Sequence, residues 1–320
     1  MTVADPVETE AYRGELLGYC YRFFGSYPEA EDAVQETMLR AWQKAGGFAG
    51  HSSVRTWLYR IATNICLDMR KAPQRRALPM DLNGPGPVPD DPSALTTREA
   101  PWWVGPVPDE RLGWVGDPAD VVVRRDSVRL AFLTALQLLP PRQRVVLILR
   151  DVLSWSANDC AELLDMSLAS VNSALARARR TVADHDPGSP APAMPDAEEQ
   201  DLLRRYVDAF EAYDVDRLVR LLSDDVVFSM PPFELWLRGA ADVESWWRGP
   251  GQVCRNSRVI TTRANGGPAA GVYHPVAEGR WDPFALHVID MRGGRIAGIT
   301  HFMGPTVFAE FGLPPDIVAS

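Results

Sequence analysis

The chain has few cysteines, and their spacing offers no metal or redox chemistry. Cys20, Cys66, Cys160 and Cys254 form no Cys-x-x-Cys pair and have no histidine at ligand spacing. They read as reduced, mostly buried thiols, so no metal site is expected. Glycine-rich phosphate loops of the nucleotide- and dinucleotide-binding kinds are absent, and no cofactor is expected either. Long apolar runs are missing. Val145–Leu149 is the longest strongly apolar stretch, far below the ~20 residues of a membrane helix. With no signal-peptide pattern at the start, a cytoplasmic location and no membrane partner are expected. There is also no basic excess: 33 Lys and Arg stand against 42 Asp and Glu, for a net charge of −9. That balance excludes a nucleic-acid binder held by charge alone. It fits a protein that reaches DNA after joining a larger partner that supplies phosphate contacts.

Against this acidic background, residues 140–182 are locally basic and read as a helix-turn-helix. Ser156 and Asp159 make a capping pattern for one helix, which runs to Leu164. After a turn at Asp165 and Met166, Ser167 caps a second helix. Its predicted buried stripe is Leu168, Val171, Leu175, Ala178 and Val182. The other face carries Ser170, Asn172, Ser173, Ala176, Arg177 and Arg180, with no acid from Ser167 to Ala183. Short side chains permit close approach, amides and guanidiniums reach base edges, and arginines hold phosphates. Such a face suits a major-groove recognition helix.

Two earlier segments are amphipathic helices. In residues 26–42, Ser26 and Glu29 form an expected capping box with Pro28 in the first turn. Val34, Met38 and Ala41/Trp42 make the expected stripe, leaving Asp32, Gln35, Glu36 and Arg40 for a protein partner. In residues 53–71, Val54, Trp57, Leu58, Ile61, Ala62 and Ile65 share one face. Arg55, Tyr59, Arg60, Asn64, Asp68, Arg70 and Lys71 lie largely on another, a mixture of aromatic, amide and cation suited to single-stranded nucleic acid.

EDAVQETMLRAW, then RTWLYRIATNICLD, then LPPRQRVVLILRDVLSWSANDCAELLDMSLASVNSALARARR resemble regions 2 and 4 of extracytoplasmic-function RNA polymerase sigma factors. The resemblance implies two all-α domains and two partners, core RNA polymerase and promoter DNA. By position it implies that Asp32, Gln35, Glu36 and Arg40 contact polymerase. Phe48, Ser53, Arg55, Arg60, Asn64 and Arg70 fall where the family handles the −10 strand. Ser170, Asn172, Ser173, Ala176, Arg177 and Arg180 fall on the −35 helix. Many relatives carry Arg at the position of Asn172 and an aromatic at Ala176, so a different −35 sequence is expected here. Asn pairs best with adenine in the major groove, and Arg177 suits guanine or a phosphate.

The expected organisation is region 2 over residues 1–76, a Pro-rich acidic linker over 77–120, region 4 over 121–184, a second linker over 185–197, and a further domain over 198–320. The first linker cannot bury enough apolar surface to fold alone. Its Trp102, Trp103 and Trp114 must nevertheless dock somewhere, either in the polymerase channels or on this protein's own domains.

In the last domain, helices around Leu202–Phe210 and Leu218–Leu222 precede a strand at 225–230, a helix at 240–248 and strands at 255–263, 269–274, 284–291 and 296–302. Arg292-Gly293-Gly294-Arg295 marks a hairpin. YVDAFEAYDVDRLVRLLSDDVVFSMPP, LWLRGAADVESWW and HVIDMRGGRIAGITHF resemble the SnoaL-like, NTF2-like family, which implies an α+β cone. Its cavity would draw on Phe228, Trp236, Trp246, His287 and His301, with Met230, Trp247, Tyr273, Asp282 and Asp290 as further candidates. Unbroken alternation from the hairpin puts His287 and His301 on opposite faces, which precludes a dyad unless a bulge intervenes. A base with no orienting acid favours no catalysis. The expectation is therefore a sigma factor, not an enzyme, controlled by its fused cone through intramolecular contact, with room for a small-molecule ligand. Two rivals remain: a SnoaL-like small-molecule enzyme tethered to a DNA-binding region, and a DNA-binding regulator that never joins polymerase.

Overall fold

A computed structural model describes residues 9–47, 52–69, 76–89, 91, 93, 95–99, 102–113, 118–185 and 196–319. Two units emerge: Met1–Arg76 with Asp109–Pro187, and Ala77–Pro108 with Gly188–Ser320.

The first unit is helical. Helix α1 (Arg13–Phe24) closes on Gly25, whose φ of 67° lets its N–H reach Tyr21 O at 2.7 Å. Helix α2 (Tyr27–Lys44) opens with Pro28 in its first turn, and α3 (Val54–Met69) follows. Leu16, Leu17, Cys20 and Phe23 of α1 are buried, as are Ala33, Val34 and Ala41 of α2 and Leu58, Ala62 and Ile65 of α3, and the three helices pack on one another. The capping box expected at Ser26 does not form. The Ser26 side chain makes no cap bond, and Glu29 is drawn instead to Arg76, 47 residues away. Trp42 is 68% exposed rather than part of the buried stripe. The buried stripe ends at Ala41, and among the described residues the last turn of the helix stays open to solvent.

The later helices of this unit are α4 (Pro118–Asp126), α5 (Leu130–Gln137), α6 (Pro141–Leu147) with a π-helical turn Ile148–Val152, α7 (Ala157–Leu164) and α8 (Leu168–Ala183). Ser156 and Asp159 cap α7 reciprocally, at 3.1 and 3.3 Å. Asp165 ends it at φ 51°, and the Ser167 oxygen accepts Ser170 N–H at 3.2 Å. Val171, Ala174, Leu175 and Ala178 are buried, whereas Leu168 is 45% exposed: the first turn of α8 projects past its neighbours.

Arg144 is the tie between the two halves of this unit. Only 1% exposed, it donates to the α1 carbonyl of Phe23, to Gln137 Oε1 at 2.9 Å, and to the carbonyls of Gln137 and Leu139 at 3.1 Å. A guanidinium thus satisfies carbonyls that helix ends leave without partners. Arg22 does the same from the other side, reaching Ser127 Oγ at 2.8 Å and Arg124 O at 2.9 Å. Burial lowers the Arg22 pKa to about 10, so it stays charged at neutral pH.

The second unit is a mixed sheet with three helices packed on one face. Helices α9 (Asp196–Glu211), α10 (Val215–Leu221) and α11 (Ala240–Arg248) pack on strands β1 (Leu222–Ser229), β2 (Trp236–Arg238), β3 (Arg258–Ala264), β4 (Gly267–Ala277), β5 (Arg280–Arg292) and β6 (Arg295–Met303). The strand order is β2-β1-β6-β5-β4-β3. β1 and β6 run parallel and the other neighbours antiparallel. A short helix α12 (Thr306–Glu310) and strand β7 (Ile317–Val318), paired with β5, complete the unit. β2 and β7 were not anticipated, since three and two residues carry too little alternation to read.

The linker is not free. Gly86 N–H bonds Trp236 O at 3.1 Å, Arg98 N–H bonds Pro232 O at 2.9 Å, and Glu234 N–H bonds Thr96 O at 2.9 Å. Asn265 N–H bonds Val107 O at 3.1 Å, while Val88 and Leu95 pack against the domain core. Of the two docking places left open for the linker tryptophans, Trp103 takes the intramolecular one and is 5% exposed. Trp114 lies outside the described residues.

Candidate nucleic-acid interface

The residues expected to read duplex DNA lie together on the solvent side of helix α8. Ser170, Asn172, Ser173, Ala176, Arg177 and Arg180 are all exposed. Arg179, beside them, is held by Asp151 through two bonds of 2.7 and 2.8 Å and so braces the helix against the π-helical turn. The free guanidiniums of Arg177 and Arg180 are thereby separated from the one committed to structure.

The α3 face is different. Ser53 caps the helix by accepting Thr56 N–H at 3.0 Å, and Asn64 is exposed. Arg55 donates Nε to Glu15 at 2.8 Å, and its guanidinium lies 5.2 Å from the Tyr59 ring and 5.5 Å from the Trp155 ring. Arg60 bonds Glu162 of α7 at 2.9 Å. Tyr59, expected at the surface, is fully buried: its hydroxyl donates to Glu15 at 3.0 Å, and its ring meets Tyr19 and Trp155, each at 5.1 Å. The cations suited to single-stranded nucleic acid therefore lie against residues of the helix-turn-helix. Glu15, Trp155 and Glu162 carried no sequence signal for this role, because their partners are 40 to 102 residues away. Phe48 and Arg70 lie outside the described residues.

On α2, Asp32 and Gln35 are exposed, and Glu36 and Arg40 pair at 2.6 Å while both remain partly exposed. Leu39, 48% exposed, and Trp42 fall at helical spacing on the same side. The face is thus apolar as well as charged, as protein interfaces are.

In the last domain, the hairpin Gly293–Gly294 forms with both glycines at positive φ. A bulge then leaves Ala297 unpaired, because Asp290 pairs with Gly298 and Met291 with Ile296. Gly298 lies tight against this step: a Cβ there would meet Asp290 Cβ at 3.3 Å, closer than most such contacts, and Val227 O of the neighbouring parallel strand at 3.7 Å. The bulge corrects the expected register. His287 sits directly opposite His301, on the same face, with the rings stacked 3.6 Å apart and 11° from parallel.

Tyr206 of α9 lies 2.8 Å from His287 Nδ1, and Phe228 meets the edge of His301 at 4.6 Å. Burial holds both histidines neutral, pushing His301 down to about 3 and His287 well below its usual range, with the neighbouring histidines adding to the latter. Asp290 faces away and pairs with Arg292 at 2.8 Å. Tyr273 donates to Pro314 O at 2.9 Å. Phe228, Trp246, His287 and His301 are thus all buried in the interior of this domain, as are Met230 and Trp247. Trp236 does not belong with them. It lies on the other face of β2 from Leu237, with its indole N–H on Asn83 O at 2.9 Å.

Residues 9–76 match the family description Sigma-70 region 2, residues 129–182 Sigma-70 region 4, and residues 203–299 the SnoaL-like domain. Among similar proteins is the ECF RNA polymerase sigma factor SigG of Mycobacterium tuberculosis, 46% identical over 316 residues, covering 97% of this chain and 84% of that one. SigJ of the same organism is 30% identical over 227 residues, 69% of this chain and 63% of that one. The crystal structure of SigJ superposes with a TM-score of 0.62 at 25% identity, over 97% of this chain and all of that one. Among the described residues, no helix is long and apolar enough to cross a membrane.

Proposed function

The chain belongs to the extracytoplasmic-function RNA polymerase sigma factors, and from that premise we propose how its surfaces divide the work. As a sigma factor it joins core RNA polymerase and directs initiation at promoters. In this reading Asp32, Gln35, Glu36 and Arg40, with Leu39 and Trp42, form the polymerase contact. Ser53, Arg55, Arg60, Asn64, Phe48 and Arg70 handle the −10 strand. Ser170, Asn172, Ser173, Ala176, Arg177 and Arg180 read the −35 element. The protein works in the cytoplasm, where polymerase and chromosome are.

The observation that carries this reading is an asymmetry inside the first unit. The −35 face is open, while Arg55 and Arg60 of the −10 face are engaged by Glu15, Trp155 and Glu162. The described form is a closed state in which region 4 covers part of the −10 surface. Opening requires parting Trp155 and Glu162 from α3, and the binding free energy of core polymerase favours the parted state.

The fused SnoaL-like domain sets how much of the chain is open, and it performs no chemistry of its own. Support for the latter is that His287 and His301 are neutral, tightly stacked and turned away from Asp290. A general base needs access to substrate and a suitable pKa, and this pair has neither. A small-molecule ligand of this domain would therefore act by shifting the closed state.

The deciding experiment is co-purification with bacterial core polymerase, comparing the full chain with one ending at Asp186. Binding by both, with a difference between them, supports the sigma assignment of surfaces and gives the sign of control. Equal binding and equal promoter-dependent transcription would remove regulation by the fused domain.

A further inference from the structure

Ala77 and Trp103 close the linker into a loop. Ala77 N–H bonds Trp102 O at 3.0 Å, Val104 N–H bonds Ala77 O at 3.1 Å, and Ala77 and Trp103 are parallel bridge partners. Trp103 is buried, with its indole N–H on Arg98 O at 3.1 Å. The body of the loop is also bound to the C-terminal domain. Asn83 O receives the Trp236 indole, Gly86 bonds Trp236 O, Thr97 bridges Phe233, and Arg98 pairs with Glu234 and lies 5.6 Å from Trp102. Beyond the closure, Pro108 bridges Ala264 and Val107 pairs with Asn265.

The closure changes the reach of the chain. About 32 residues separate Arg76 from Asp109, both in the first unit. Extended at ~3.3 Å per residue, they would span about 105 Å. With Ala77 pinned to Trp103, the connecting path shortens to about six residues, or roughly 20 Å. Residues 109–117 lengthen either path by roughly 30 Å, so at ~3.4 Å per base pair the tether reaches about 40 base pairs when open and about 15 when closed.

We propose that the SnoaL-like domain regulates the sigma factor by clasping the linker at Asn83, Gly86, Thr96, Thr97, Arg98, Val107 and Pro108, which closes it at Ala77–Trp103 and keeps regions 2 and 4 from separating to the spacing of the −10 and −35 elements. This rests on the reading above that the fused domain controls activity, and gives it a mechanism. The domain acts on the length of the tether. Its ligand within the chain is an extended, proline-rich peptide that contributes backbone hydrogen bonds, as in strand addition. Release of the clasp restores the full reach without any change in the DNA-reading helices.

Two sets of full-length variants test the clasp, read by transcription with core polymerase on promoters whose −10/−35 spacing is varied. Ala77→Cys with Trp103→Cys places thiols on bridge partners, within the ~4.4–6.8 Å Cα separation a disulfide spans. The oxidised chain should still bind core but transcribe at least tenfold less, with its optimum moved to shorter spacers, and reductant should restore both. Arg98→Glu should raise transcription severalfold over wild type, and Arg98→Glu combined with Glu234→Arg should return it. Oxidised and reduced chains with equal output and the same spacer optimum would overturn the proposal, as would an Arg98→Glu chain that behaves like wild type. If removing residues 196–320 raises transcription while Arg98→Glu does not, the clasp is wrong and regulation by the domain stands. If neither change matters, regulation by the domain falls as well.

Discussion

Acidification should loosen the C-terminal domain through its histidine pair. His301 is fully buried, stacked 3.6 Å from His287 and edge-on to Phe228, and its pKa is pushed down to about 3 by loss of solvent. In the unfolded chain an ordinary histidine titrates near ~6.5. The fold therefore prefers the neutral ring. Its contribution is complete above the unfolded value and is lost as pH falls below it, because the unfolded state then binds more protons. At pH ~5, about 1.5 units below the unfolded value, His301 should cost about 2 kcal/mol relative to pH ~7.5.

His287 pushes in the same direction. Two stacked rings cannot both charge, so the pair titrates as a unit rather than as two independent increments. The assay is urea unfolding of the full chain at the two pH values, for wild type and His301→Phe, following the C-terminal unit by hydrogen exchange. Phenylalanine keeps a ring on the stack and removes the buried Nε2, which has no partner. The variant should lose about 2 kcal/mol less than wild type on acidification. Equal losses would refute the reasoning and mean that the stack opens to solvent before it protonates.

Arg144→Met should destabilise the first unit by about 1–3 kcal/mol, since the buried Gln137 and Leu139 carbonyls lose a charged donor and the Phe23 carbonyl keeps only Gln137 Nε2 at 3.4 Å; thermal melting would measure it. Trp42→Ala should leave that melting point unchanged, because the side chain is 68% exposed, yet weaken co-purification with core polymerase. Arg177→Ala should weaken promoter binding by about 1–3 kcal/mol and relax preference at one base position if it reads a base. If it holds a phosphate, binding should weaken uniformly across sequences and the salt dependence should shrink. Arg60→Ala should change stability by less than about 1 kcal/mol, because the Arg60–Glu162 pair is exposed; a larger loss in melting would mean that the contact is more than a cover.

What the sequence determined alone is local. Ser156 with Asp159 and Ser167 with Ser170 cap helices within four residues of one another, so the helix-turn-helix and its exposed reading face were legible from spacing and residue type. Gly293–Gly294 likewise sets a two-residue turn by itself. The family followed from two such segments in order. Tertiary structure decided every contact between distant residues. Glu29 left its expected cap for Arg76, Tyr59 was buried by Trp155, and Arg60 was met by Glu162, because a buried or charged group takes its best partner wherever the chain brings one. A single unpaired residue, Ala297, reversed the face of half a strand and turned two separated histidines into a stack, since strand periodicity is two and a bulge shifts it by one. The linker is the clearest case. Its composition could not supply a core, and its order comes from backbone groups that Trp236, Pro232, Glu234 and Asn265 happen to satisfy, partners that no pattern within the linker itself encodes.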